Sequence, residues 1–225
     1  EVYRALRPLG IPIPRVWGVD VGLNVFLVDR ARGITWFHAP KDHDEAVSVA
    51  RDFMGHLATW HSVPARKLEL PSFQPIRTVA AHQRDVVRAI RADFESQDRR
   101  QPLDALAWLM LDLLEHRLPE YDGEPVLVQG DTGPGNLMYL DGRVSAIVHW
   151  ELAHVGDPMD DIAWLSWRAT QHSFPDFPAR LREYEQASGH RVDEARVLYY
   201  RVNAVARLGP WFGVADMGYG RRLLP

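Results

Sequence analysis

The stretch from Val126 to Trp164 constrains this 225-residue chain more than any other. It opens on Val126-Leu127-Val128, an apolar run of the kind that makes a short buried strand. Gln129-Gly130-Asp131-Thr132-Gly133-Pro134-Gly135-Asn136 follows, with three glycines and a proline in eight residues. Such a run opposes regular structure and predicts a loop of fixed shape. Leu137–Leu140 and Val144–Val148 then flank Asp141-Gly142, a strong short-range hairpin signal. The hairpin returns the chain beside the loop, and its second strand is expected to deliver His149, Trp150 and Glu151 near Asp131 and Asn136. A helix is expected next, with Asp157-Pro158 as cap and first-turn pair.

These residue types suit one chemistry. A carboxylate at Asp131 and an amide oxygen at Asn136, five residues on and presented by one loop, fit phosphoryl transfer to a hydroxyl. The carboxylate accepts the hydroxyl proton and the amide oxygen holds a magnesium ion. A second acidic group at the end of the hairpin would complete the metal site, yet the chain has His149 there.

The ordered set Gln129-Gly130-Asp131, Asn136, His149-Trp150-Glu151, Gly156-Asp157-Pro158 and Asp161-Ile162-Ala163 resembles the catalytic core of the aminoglycoside phosphotransferase and choline kinase family. The resemblance implies an α+β, protein-kinase-like fold. A truncated small α/β lobe would occupy residues 1–30, and a mainly helical large lobe with the catalytic-loop β-hairpin would occupy 31–225. It implies ATP or GTP as phosphoryl donor, Mg²⁺ or Mn²⁺ as metal, and a small molecule bearing a hydroxyl as acceptor. By the same resemblance Asp131 is the catalytic base, and Asn136, His149 and Glu151 face the metal. Gln129, Asp157 and Asp161 support the loop, and the backbone at Leu27, Val28 and Asp29 is the hinge that meets the adenine ring.

Two positions depart from that pattern. Gln129 replaces a histidine whose place is mostly architectural. His149 replaces an aspartate metal ligand, and three readings stand open: lost catalysis in a binding or scaffold protein, a ligand for a softer metal such as Zn, Fe or Ni, or weakened catalysis carried by Asn136 and Glu151.

Upstream, Glu1 to Leu9 reads as a helix end stopped at Gly10. Ile11-Pro12-Ile13-Pro14 is extended, and Arg15 to Asp20 and Asn24 to Asp29 are two strands. In the family this is the second half of the small lobe, so the phosphate-covering loop and strand lysine are expected before Glu1, which itself reads as a solvated helix charge. Ala46, Val49, Ala50, Phe53, Met54, Leu57 and Trp60 carry a helical period over Asp44 to His61, with His61 read as a helix-end structural group. After a proline-punctuated loop from Leu68 to Pro75, helices are expected over Val79 to Phe94 and Leu103 to Leu118. Arg84, Arg88, Arg91, Arg99 and Arg100 alternate with Asp85, Asp93, Glu95 and Asp98, the pattern of a solvated face. Helices are also expected over Asp161 to Ala169, Phe177 to Ser188 and Val192 to Leu208. The last is broken at Pro210-Trp211-Phe212, and the tail from Gly218 is irregular. Trp164, Trp167, Trp211 and Phe212 have two readings, as core or as the apolar wall of an acceptor site.

Composition narrows the class. Hydrophobic residues make up 46% with eight tryptophans, enough for a core, and the net charge of −4 argues against a nucleic-acid surface. The absence of cysteine excludes disulfides and thiol chemistry. No apolar run reaches the roughly 20 residues of a membrane span, and no signal peptide is visible. A cytoplasmic protein without nucleic-acid or membrane partners is expected. The oligomeric state is not legible.

Overall fold

The structure, a computed structural model, describes residues 1–23, 25–36, 42–96 and 104–212. Its elements in chain order are α1 (Val2–Leu6), β1 (Val16–Asp20), β2 (Val25–Val28), β3 (Ile34–Thr35), α2 (His43–His61), α3 (Val79–Ser96), α4 (Asp104–His116), β4 (Val126–Val128), β5 (Leu137–Leu140), β6 (Arg143–Ile147), β7 (His154–Gly156), α5 (Met159–Ala169), α6 (Phe177–Ser188) and α7 (Glu194–Phe212). They fall into two compact units, residues 1–76 with 124–192, and residues 77–123 with 193 onward.

In the first unit, α2 is the central beam. Asp42 caps it by accepting the Asp44 N–H at 2.8 Å, and Asp44 and Glu45 place negative charge at its positive end. Its stripe of Ala46, Val49, Ala50, Phe53, Met54, Leu57 and Trp60 is buried against α6, β4 and β6. Each large side chain enclosed this way contributes about 1.5–3 kcal/mol. Leu57→Ala alone would cost about 2–5 kcal/mol.

The sheets are small. β1 and β2 form an antiparallel pair; β3, β5 and β6 form a three-stranded antiparallel sheet; β4 pairs with β7. Asp141 and Gly142 make the expected two-residue turn between β5 and β6, both with positive φ (52° and 72°), the twist a tight hairpin needs. β3 and β7 are strands that the sequence does not announce. β3 is two residues long, and β7 contains a histidine and a glycine, so neither shows an alternating pattern. Two expectations are corrected. β6 ends at Ile147, so His149 to Glu151 are not carried on a continuing strand. α7 runs through Phe212, so Pro210 does not break it; a proline removes one donor without having to end a helix.

The second unit is helical. Val87, Ile90 and Phe94 of α3, Leu111 and Leu114 of α4, and Tyr200 and Ala204 of α7 form its core. A buried Asn203 donates to Gln83 at 3.0 Å between α7 and α3. Arg91 bridges to Asp112 (2.7 Å) and Glu115 (2.8 Å) on α4, while Arg84 and Arg88 are exposed, as a solvated face requires. Arg99, Arg100 and the tail from Gly218 lie outside the described residues, as do the side chains of Trp211 and Phe212.

Candidate active site

The loop between β4 and β5 is fixed from below by one carboxylate. Asp161, fully buried on the first turn of α5, accepts the N–H of Gln129 (2.9 Å), the N–H of Gly130 (2.9 Å) and the Thr132 hydroxyl. Its remaining partner is His61 at the end of α2, whose Nε2 lies 3.0 Å from Asp161 and whose Nδ1 lies 2.8 Å from the Tyr184 hydroxyl of α6. Burial pushes the His61 imidazole below its ordinary pKa, more than the bond to Asp161 raises it. Burial also pushes the Asp161 carboxyl up, but the bonds from His61, Thr132 and Gln129 outweigh it and hold it below the usual range. The pair is therefore a neutral imidazole donating from Nε2 to a carboxylate, with Tyr184 donating to Nδ1. Asp157 accepts the Met159 N–H at 2.9 Å and so caps the start of α5.

Backbone geometry locks the loop against the segment after the hairpin. Gly130 has φ 81°, and a Cβ there would stand 2.4 Å from the Leu152 carbonyl oxygen; only glycine fits. Gln129 donates from its side-chain amide to the carbonyls of Val148 (2.6 Å) and His149 (3.3 Å), and the Val148 N–H donates to the Asn136 carbonyl at 3.0 Å.

On this frame Asp131 and Asn136 meet. The Asn136 amide donates to the Asp131 carboxylate at 2.7 Å and to its carbonyl at 2.6 Å. Arg168, on the last turn of α5, donates to the other Asp131 oxygen. The Asp131 side chain is 22% exposed, so it is held on two sides and open on a third. Arg168 is the residue the motif reading missed. Its signal was present, since it lies seven residues beyond Asp161, two helical turns along the same face.

His149 and Glu151 are placed differently. His149 has φ 60°, a left-handed conformation that costs a non-glycine residue about 1–2 kcal/mol. The two Gln129 bonds and the buried Trp150 beside it hold that turn. The imidazole Nδ1 sits 3.7 Å from the Glu151 carboxylate, with both side chains largely exposed (61% and 73%). Among the described residues no three His, Cys, Asp or Glu side chains cluster so as to hold a metal ion. Magnesium asks for near-octahedral oxygen ligation. Asn136 and Glu151 offer oxygens and His149 offers nitrogen, so the set as placed does not fit Mg²⁺.

Leu27 is exposed at 67% on β2; Val28 is half-buried, and Asp29 accepts the Trp17 indole N–H at 2.6 Å. A groove of about 270 Å³ runs beside this segment, lined in part by Pro14, Arg15, Asp29, Arg30, Arg32 and Ser145. Trp164 and Trp167 are buried, which favours the core reading, and their rings flank the Arg168 guanidinium at 5.6 Å each.

The sequence model of the phosphotransferase enzyme family matches residues 1–200. The chain belongs to that family. Curated relatives include acyl-CoA dehydrogenase family member 11 of mouse, 28% identical over 178 residues that cover 74% of this chain and 22% of the relative. The chicken protein of the same name is 26% identical over 202 residues, covering 84% and 24%. The chain thus spans about a quarter or less of the length of these relatives. Among solved structures, a Ralstonia eutropha protein named for aminoglycoside phosphotransfer superposes with a TM-score of 0.73 at 18% identity, covering 99% of this chain and 78% of that one. A macrolide 2′-phosphotransferase of Brachybacterium faecium gives 0.63 at 21%, covering 99% and 77%. Likeness at this identity establishes the family's protein-kinase-like, mixed α/β fold. No described helix is long and apolar enough to cross a membrane.

Proposed function

We propose that this chain is the catalytic part of a small-molecule kinase that moves the γ-phosphate of ATP or GTP to a hydroxyl. The observation that carries the reading is the Asp131 carboxylate, held at 2.7 Å by Asn136 on a loop pinned by Asp161, in a chain of the phosphotransferase enzyme family. An oriented, half-open carboxylate is what a hydroxyl nucleophile needs beside it, because phosphoryl transfer depends mainly on positioning and electrostatics. Residues 1–30 are read as the part of the nucleotide-binding lobe that this chain contains, with Leu27, Val28 and Asp29 as hinge. The arginine-bearing groove beside Asp29 supports an anionic nucleotide there. Mg²⁺ or Mn²⁺ would enter with the nucleotide. Because no carboxylate stands at position 149, this chain's share of the metal's ligands is small, and the nucleotide's phosphates and water supply the rest.

The two solved structures are named for phosphotransfer to aminoglycosides and to macrolides; the acceptor of this chain is taken only as a small hydroxyl compound. A second reading, a catalytically inactive binding or scaffold protein, is favoured by one observation: His149 and Glu151 pair with each other in solvent instead of forming an oxygen cage. Calorimetry with ATP and GTP in Mg²⁺ and then Mn²⁺, followed by ADP release across a panel of hydroxyl compounds, separates the two. Metal-dependent nucleotide binding with acceptor-stimulated ADP release supports the kinase. Binding of nucleotide without turnover for any acceptor or water supports the binding protein, and no nucleotide binding sinks the kinase reading.

A further inference from the structure

We infer that Arg168 is a positioning residue for the catalytic carboxylate, holding the Asp131 side chain in the rotamer that faces the acceptor hydroxyl; the inference rests on the kinase reading of the same loop. Three observations converge on it. The Arg168 guanidinium donates to Asp131 Oδ1 while Asn136 donates to Oδ2, so each oxygen of the base is fixed by a different element. Asp131 is the guanidinium's one hydrogen-bond acceptor among the described residues, and the arginine's Nε–H is buried with no acceptor. The loop is also cut to receive this side chain. A Cβ at Gly133 would stand 2.8 Å from the Arg168 Cδ and 3.0 Å from its Cβ and Cγ, so the glycine makes room for the arginine stem.

The two grips on the loop come from one helix. Asp161, on the first turn of α5, holds the backbone of Gln129 and Gly130. Arg168, on the last turn, holds the side chain that would do the chemistry. A guanidinium suits this task because its planar fork directs donors along fixed lines, which the rotatable ammonium of a lysine does not. Trp164 and Trp167 flank the guanidinium and restrict where it can swing. If Arg168 served only to pack these rings, an apolar side chain of similar length would do equally well.

The test compares the unsubstituted chain with Arg168→Met and Arg168→Lys, each checked for an unchanged melting temperature. ADP release is followed with Mg-ATP and Mn-ATP, with water as the acceptor, and solvent exchange of the Asn136 side-chain amide is followed by NMR. We expect Arg168→Met to lower the rate about 10- to 100-fold with the KM for ATP nearly unchanged. Added guanidinium should restore part of that rate, and Arg168→Lys should fall in between. The Asn136 amide, whose acceptor is then free to rotate, should exchange faster in Arg168→Met without any nucleotide present. A folded Arg168→Met with native rate and native amide exchange overturns the proposal. A lowered rate that guanidinium does not restore, with amide exchange unchanged, also overturns it and leaves packing as the role of Arg168. If the unsubstituted chain neither binds ATP nor releases ADP, the kinase reading fails instead, and the amide exchange alone decides whether Arg168 holds Asp131.

Discussion

His61 and Asp161, a hundred residues apart in the chain, meet at 3.0 Å with both side chains fully enclosed. The contact joins the end of α2 to the loop that carries Asp131, because Asp161 spends its other lone pairs on that loop. Removing the imidazole leaves a buried carboxylate short of a donor and a void beside it. His61→Ala should therefore destabilise the chain by about 3–5 kcal/mol, read as a lower midpoint in urea at unchanged slope. A loss under about 1 kcal/mol would mean that water replaces the imidazole.

The same pair fixes a pH dependence. Burial holds the folded His61 below its ordinary pKa, so on acidification the unfolded chain takes up its proton first. Stability is then fullest above the unfolded value of about 6.5 and falls as the pH drops through it. His56 and His172, lowered first by burial as well, add to the same window. Asp161, also lowered, contributes stability present above its unfolded value of about 3.9 and lost in a second step below it. Melting temperatures between pH 8 and 4 should decline from about pH 6.5 downward. A flat profile there would contradict the neutral imidazole.

Asp131 is held by polar contacts to Asn136 and Arg168 and is partly open, with no apolar packing to lose, so an isosteric change there should affect rate more than folding. Asp131→Asn keeps the shape and removes the carboxylate proposed to accept the hydroxyl proton. Acceptor-stimulated ADP release should fall by about 10²–10⁴, while nucleotide affinity and melting temperature change little. Equal rates for the two proteins would move the base elsewhere.

Position 149 lacks the anionic oxygen that a hard metal prefers. His149→Asp supplies it at the turn already held by Gln129. Mn²⁺ affinity in the presence of nucleotide should rise about 10- to 100-fold, as a charge-assisted contact of about 1.5–3 kcal/mol implies. Calorimetry reads it directly, and unchanged affinity would show that this turn does not face the metal.

Gly130→Ala tests the frame alone. The new methyl would meet the Leu152 carbonyl oxygen at 2.4 Å in a backbone with φ 81°. Strain and displacement together should cost at least about 2 kcal/mol. Thermal unfolding checks it, and a neutral substitution would show that the crossing relaxes easily.

Much of this fold is legible in the sequence. Glycine punctuation bounded the loop, Asp141-Gly142 announced the hairpin, and the α2 stripe gave its buried face residue by residue. The strands β3 and β7 are not legible, because neither carries the continuous apolar run that marks the comparably short β4, and each is defined by pairing with a strand distant in sequence. The orientation of His149 and Glu151 is hidden for a related reason. Strand alternation stops at Ile147, where the buried Trp150 and the positive φ of His149 turn the chain instead. Asp161 is legible as a support, but its four partners are not: three lie on the Asp131 loop and the fourth, His61, ends a helix far upstream. Arg168 lies beyond the last motif residues, Asp161-Ile162-Ala163, two turns farther along the same helical face.

The crossing of Gly130 over Leu152 has a consequence for turnover. Two backbones in contact, without intervening side chains, cannot slide past each other by changing rotamers. The Asp131 loop and the turn bearing His149 therefore travel as one block, tied also through Gln129 and the Val148 N–H. A working cycle in this chain would carry that block whole, without rearrangement inside it. Admission and release of ligands would then be timed by whatever lies around it, so substitutions that alter the pace of opening should be sought outside residues 129–152.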